Sequence, residues 1–156
     1  PLRRPLMGKI VVEKHINAPV DLVFARLTDL ESWPETVEGI TRIEKLTEGP
    51  VCNGTRFTET RVMFGKEHSE TMTFGDVLPN RGYTLTANSC GMRYESVHSL
   101  AAEGSGTNLR MEMTSTPVSL GAKIIAPLMG VMLNGTMKKM IAKDLDDIAR
   151  GCESGS

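Results

Sequence analysis

The chain has 156 residues, 40% of them hydrophobic and 24% charged, with a formal net charge of -1 and a pI near 6.4. That length predicts one domain with a real core, and the near-neutral charge excludes the basic footprint of a nucleic-acid binder. No apolar run approaches the ~20 residues that span a bilayer, so no membrane span is expected.

Cys52, Cys90 and Cys152 are odd in number and lack metal-ligand spacing. This argues against a disulfide framework and a metal site, and the reducing cytoplasm is the expected compartment. No linker or internal repeat divides the chain, so 8–150 reads as a single domain with 1–7 and 151–156 as terminal tails. A first strand is expected over 8–16, where Ile10, Val12 and Ile16 alternate with polar residues. Asn17-Ala18-Pro19 stops it, and Pro19 opens a helix over 20–27 that places Val20, Val23, Phe24 and Leu27 on one side. A second short helix over 29–37 holds the lone tryptophan, Trp33, and is broken at Pro34. From there to Thr116 the pattern is β, with strands at 40–46, 55–64, 67–77, 83–89, 92–101 and 107–115. Turn signals such as Glu48-Gly49-Pro50, Gly65-Lys66 and Cys90-Gly91 separate them.

The last stretch, 117–150, reads as a short turn near 120–125 followed by a main helix from about 127. Ala126, Met129, Leu133, Met137, Met140, Ile141, Leu145 and Ile148 form one apolar stripe. Lys138, Lys139, Lys143, Asp146, Asp147 and Arg150 fall on the opposite face, with Asp146 and Arg150 spaced as an ion pair. Gly130, Asn134, Gly135 and Thr136 are poor helix formers set among Met129, Met132 and Leu133. They mark either a plain core helix with gap-filling methionines or a helix that leaves room for something. Together these elements give an α+β architecture in which the helix covers one face of a curved antiparallel sheet.

Two phrases, H-I-N-A-P-V-D-L-V-F-A-R-L-T-D-L-E-S-W-P (15–34) and G-S-G-T-N-L-R-M-E-M (104–113), occur together with this amphipathic helix. In them the chain resembles the polyketide cyclase/dehydrase-like branch of the START-like (SRPBCC, Bet v 1-type) superfamily from about Lys9 to Arg150. The resemblance implies a helix-grip fold: a seven-strand sheet wrapped around the C-terminal helix, with a cavity between them for an apolar ligand. It implies no metal and no fixed cofactor.

Strand alternation selects the residues that face inward. Phe57, Glu59, Arg61 and Met63 share one face, and His68, Glu70, Met72 and Phe74 share another; the threonine-rich faces suit solvent. Tyr83 and Leu85, then Tyr94, Ser96 and His98, then Met111 and Met113, alternate in the same way. If Gly65-Lys66 is a two-residue turn, Arg61 lies opposite Glu70 with Glu59 diagonal to it, so three charges converge in an apolar wall. This cluster is either an ion-pair triad that fixes strand register or a place where Arg61 binds a ligand oxygen and a carboxylate accepts a proton. Burial raises such a carboxylate's pKa and Arg61 lowers it, which leaves the sign open. Tyr94, Ser96 and His98 either hydrogen-bond a ligand or satisfy one another.

The sequence is therefore read as a binder of an apolar, ring-bearing or lipid-like small molecule. Met129, Met132, Leu133 and Thr136 of the helix join the inner-face residues in lining its cavity. The enzyme alternative is a cyclase or dehydratase with Arg61 as oxyanion stabiliser, Glu59 or Glu70 as base, and Tyr94 or His98 as proton donor. A third class is a protein-interaction module of the chaperone co-activator kind, which requires an exposed apolar patch. A homodimer is compatible with the sequence.

Overall fold

A computed structural model describes residues 9–154 apart from 64 and 90, and of 120–134 the backbone without the side chains. Strand β1 (Lys9–Ile16) leads into helix α1 (Val20–Leu27), a 3-10 turn (Leu30–Ser32) and the short α2 (Trp33–Thr36). Strands β2 (Ile40–Lys45), β3 (Arg56–Met63), β4 (Lys66–Leu78), β5 (Gly82–Ser89), β6 (Met92–Glu103) and β7 (Gly106–Pro117) follow, and α3 (Leu120–Ser154) closes the chain. The sheet has seven strands in the order β1-β7-β6-β5-β4-β3-β2, each pairing antiparallel. Six consecutive strands form a meander, and β1 joins its far edge against β7.

Two register shifts help to bend this sheet. One lies between Ile40 and Arg42, the other between Gly75 and Leu78. In the second, Asp76 takes φ +48°, and the displaced Val77 N–H donates to Asn53 Oδ1 at 2.8 Å. An extra residue on one strand increases local twist and curls the sheet towards the helix.

The core lies between the sheet, α1 and the C-terminal half of α3. Ile16, Val23, Leu30, Phe57, Phe74, Leu109 and Leu145 are almost wholly buried. Among the described side chains of α3 the buried apolar positions are Ile141, Leu145, Ala149 and Cys152, at helical steps of four, four and three. The corner is tied down by polar atoms: Thr107 Oγ1 donates to the Ala18 carbonyl at 2.8 Å, and Trp33 Nε1 to the Leu27 carbonyl at 3.2 Å.

Helix α3 differs from expectation at both ends. It is continuous from Leu120, so the separate turn over 120–125 is absent. It also runs past Arg150 to Ser154, so 151–154 are helical and Cys152 is part of the core, not a tail. A Cβ on Gly151 would lie 2.9 Å from Thr36 Cγ2. The glycine lets α2 approach the helix closely. Asp146 pairs with Lys14 at 3.0 Å, not with Arg150. Asp147, expected on the solvent face, is buried and binds both Lys143 and Arg150.

Candidate functional site

The β3–β4 hairpin decides which charges meet. Met63 pairs with Lys66, Arg61 with His68, Glu59 with Glu70, and Phe57 with Met72. The expected pairings of Arg61 with Glu70, Met63 with His68 and Glu59 with Met72 are therefore corrected by two residues. Gly65, at φ +75°, is the second residue between the paired ends, where the sequence suggests the first. An even shift leaves each side chain on its expected face.

On that inner face aromatic rings run from strand to strand. Trp33 meets Phe57 edge-on at 5.3 Å, Phe57 meets Phe74 at 5.5 Å, and Phe74 meets Tyr83 at 5.0 Å. Tyr83 then stacks on His98 at 4.6 Å, directly across from it in the β5–β6 ladder. Ring pairs of this kind contribute roughly 0.5–1.5 kcal/mol each beyond area burial.

His98 ends the row. Burial lowers its pKa to about 4, against a smaller opposing effect of a backbone hydrogen bond at Ser96, so the imidazole is neutral at physiological pH. Its Nδ1 is buried with no hydrogen-bond partner among the described residues, an arrangement that costs about 1–3 kcal/mol when left unmet. Burial, and then the charge of Glu59, push the Tyr83 phenol well above its ordinary range. It stays protonated.

A buried ion cluster lies on the β3 side of the same face. Arg61 Nη2 donates to Glu59 Oε1 at 3.2 Å, and Arg61 Nη1 to Asp144 Oδ2 of α3 at 2.9 Å. The partner that completes the triad is therefore Asp144, not Glu70, although Glu70 remains opposite Glu59 across the ladder. Burial raises the Glu59 carboxyl; Arg61 opposes this and Glu70 reinforces it. Asp144 is likewise raised by burial against the pull of Arg61. For Arg61, burial works against the charge, but the two carboxylates outweigh it and hold the guanidinium protonated.

The remaining expected site residues divide by burial. Leu85 and Ser96 are buried beside Tyr83 and His98; Met63, Met72, Tyr94, Met111 and Met113 are half-buried on the same face. His68 and Thr136 are exposed, and a Cβ on Gly135 would meet nothing within 4 Å. Met129, Met132 and Leu133 lie outside the described side chains.

With this geometry in view, a family model described as polyketide cyclase / dehydrase and lipid transport matches residues 7–153. The chain belongs to this family. No curated protein is similar enough to match the sequence. Among solved structures, TTHA0849 from Thermus thermophilus is similar at 18% identity and a TM-score of 0.79, covering 96% of this chain and 99% of that one. Ara h 8.0201 is similar at 18% identity and TM-score 0.74, covering 94% and 98%. The Zhui aromatase/cyclase from Streptomyces sp. R1128 is similar at 17% identity and TM-score 0.76, covering 93% of each chain. At these identities the likeness is one of fold, the helix-grip arrangement of sheet and long helix.

Within this family fold, a concavity of about 560 Å³ lies outside the sheet. It opens between α1, α2 and the end of α3, and is lined by Arg26, Glu35, Thr36, Glu38, Asp147, Arg150, Gly151 and Ser154. Its polar groups serve the joint: Arg26 Nη2 donates to the Gly151 carbonyl at 2.8 Å, and the Glu38 N–H donates to Asp147 Oδ2 at 3.1 Å. Burial pushes the Asp147 carboxyl up, but Lys143 and that N–H outweigh it and hold the group low. Such a lining does not suit an apolar guest. No helix among the described residues is long and apolar enough to cross a membrane.

Proposed function

We propose that this protein binds an apolar, ring-bearing small molecule between the inner face of the sheet and α3, with an oxygenated group of the ligand directed at the polar residues there. One observation carries this reading. Rings run from the half-buried Trp33 through the buried Phe57, Phe74 and Tyr83 to His98, and end on a nitrogen with no partner among the described residues. Aromatic walls with a few convergent polar groups are the usual make-up of a small-molecule site. The interaction-module reading has less support, since the exposed large hydrophobics Leu46, Val62, Leu78 and Val118 come from four separate segments, as scattered surface residues do.

The test has two parts. Native mass spectrometry of freshly purified protein should find co-purifying apolar compounds, and the neutral dye Nile red should bind. Ala87→Trp, which adds bulk to the inner face between Met72 and Tyr94, should weaken dye binding by about tenfold or more, or 1.4 kcal/mol, in a protein that still melts cooperatively. Dye binding unchanged by this substitution contradicts the reading.

A second reading, cyclisation or dehydration of a poly-β-ketone, is favoured by the neutral His98 and the raised Glu59 carboxyl near Arg61. A base would take the proton between two carbonyls, the carbanion would attack a further ketone, and an acid would protonate the resulting alkoxide before water leaves. Arg61 would stabilise the oxyanion. Incubation with a linear poly-β-ketone should then change the product distribution, and His98→Phe and Arg61→Met should each remove that change. Identical products with and without the wild-type protein exclude it.

A further inference from the structure

We infer that this site selects neutral oxygenated ring compounds and rejects carboxylates, because its arginine is already held between two carboxylates of the chain. The inference rests on the ligand-binding reading above and narrows it. An arginine in an apolar cavity is ordinarily the group that captures an anion, through its planar fork of donors. Here both terminal nitrogens of Arg61 are taken, Nη2 by Glu59 at 3.2 Å and Nη1 by Asp144 at 2.9 Å. The three side chains are only 13%, 9% and 19% exposed, so water screens them little.

Glu70, opposite Glu59 across the ladder, adds the field of a further carboxyl beside Glu59. Other titratable groups near the cluster among the described residues include His68, exposed and opposite Arg61, Tyr83, whose phenol stays protonated, and Asp147, whose charge acts on Asp144. Among the described residues no lysine or second arginine pairs into the cluster. An incoming carboxylate would therefore have to displace Glu59 or Asp144, or lie against them as a like charge, and neither is favourable.

A ketone, phenol or amide meets a different situation. Its oxygen can accept from a remaining Arg61 N–H without bringing charge, while Phe57 and Phe74 supply the apolar surface for a ring. The carboxylates are thus specificity-determining groups. They occupy the arginine that would otherwise make this an acid-binding cavity, and separate neutral ring compounds from fatty or aromatic acids of equal size.

The test uses three compounds of closely matched shape: isopropylnaphthalene, acetylnaphthalene and naphthoate, titrated calorimetrically near neutral pH. Wild type should bind the ketone about tenfold or more tightly than the carboxylate. Asp144→Asn and Glu59→Gln keep side-chain shape and each remove one negative charge beside the arginine, so either should shift the ketone-to-carboxylate ratio by about tenfold towards the acid. The ratio is read within each folded protein, and the second variant covers a failure of the first to fold. Naphthoate binding as tightly as the ketone in wild type, or ratios unmoved in both variants, overturns the inference while leaving the ring site intact. Failure of all three compounds to bind wild type overturns the ligand-binding reading, and the inference falls with it.

Discussion

His98 and Arg61 carry opposite burdens and can be probed separately. A histidine whose folded pKa is about 4, against an unfolded value near 6.5, binds fewer protons folded than unfolded between those limits. Its contribution to stability is complete above about pH 6.5 and is lost as pH falls towards 4. Relative to His98→Phe, wild type should therefore lose about 2 kcal/mol more stability between pH 7 and pH 5, read from urea midpoints. Glu59 and Asp144, raised when folded, act in the opposite sense, losing stability as pH rises, but they are common to both proteins and cancel in the comparison. For the ion cluster, Arg61→Met leaves two buried carboxylates without their cation and should cost about 3–5 kcal/mol by chemical denaturation. The triple replacement Glu59→Gln, Arg61→Met, Asp144→Asn should recover most of that loss. A triple variant as unstable as the single one would mean the cluster itself holds β3 to α3.

At the scale of elements, the long helix and the β5–β6 pairing fix the site's walls. Leu145, 1% exposed on α3, should cost about 2–5 kcal/mol when cut to alanine, measured as a shift in urea midpoint. Gly82 has φ +144°, and a Cβ there would lie 2.0 Å from the His98 carbonyl oxygen. Gly82→Ala should therefore pry β5 from β6 beside the Tyr83–His98 stack and lower the melting midpoint by an amount matching about 3 kcal/mol or more. Most of these elements are legible in the sequence. Alternation and Gly/Pro turns place every strand, and the Val20–Leu27 helix falls where Pro19 opens it. What is not legible depends on contacts between elements. The hairpin register slips by two because nothing local says whether Gly65 is the first or second turn residue, and so the sequence points Arg61 at a partner on β4 when that partner lies on α3. Asp144 and Asp147 are invisible as interior groups because a helix read by its apolar stripe assigns acids to solvent.

The molecule as a whole is a curved sheet closed by one helix, and the proposed function places an apolar ring compound between them. The faces read from alternation carry the aromatic row, because a register error of two residues cannot turn a strand over. The neutral histidine at the end of the row, and the arginine held by Glu59 and Asp144 on the same face, emerge only from the assembled fold. The most direct measurement is solution NMR of the protein with acetylnaphthalene, recording intermolecular nuclear Overhauser contacts between ligand and protein protons. Contacts from the naphthalene ring to Phe57, Phe74, Tyr83 and His98 are the predicted result. Contacts confined to the outer cleft around Arg26, Glu38 and Arg150, or to the threonine-bearing outer face, would contradict the account.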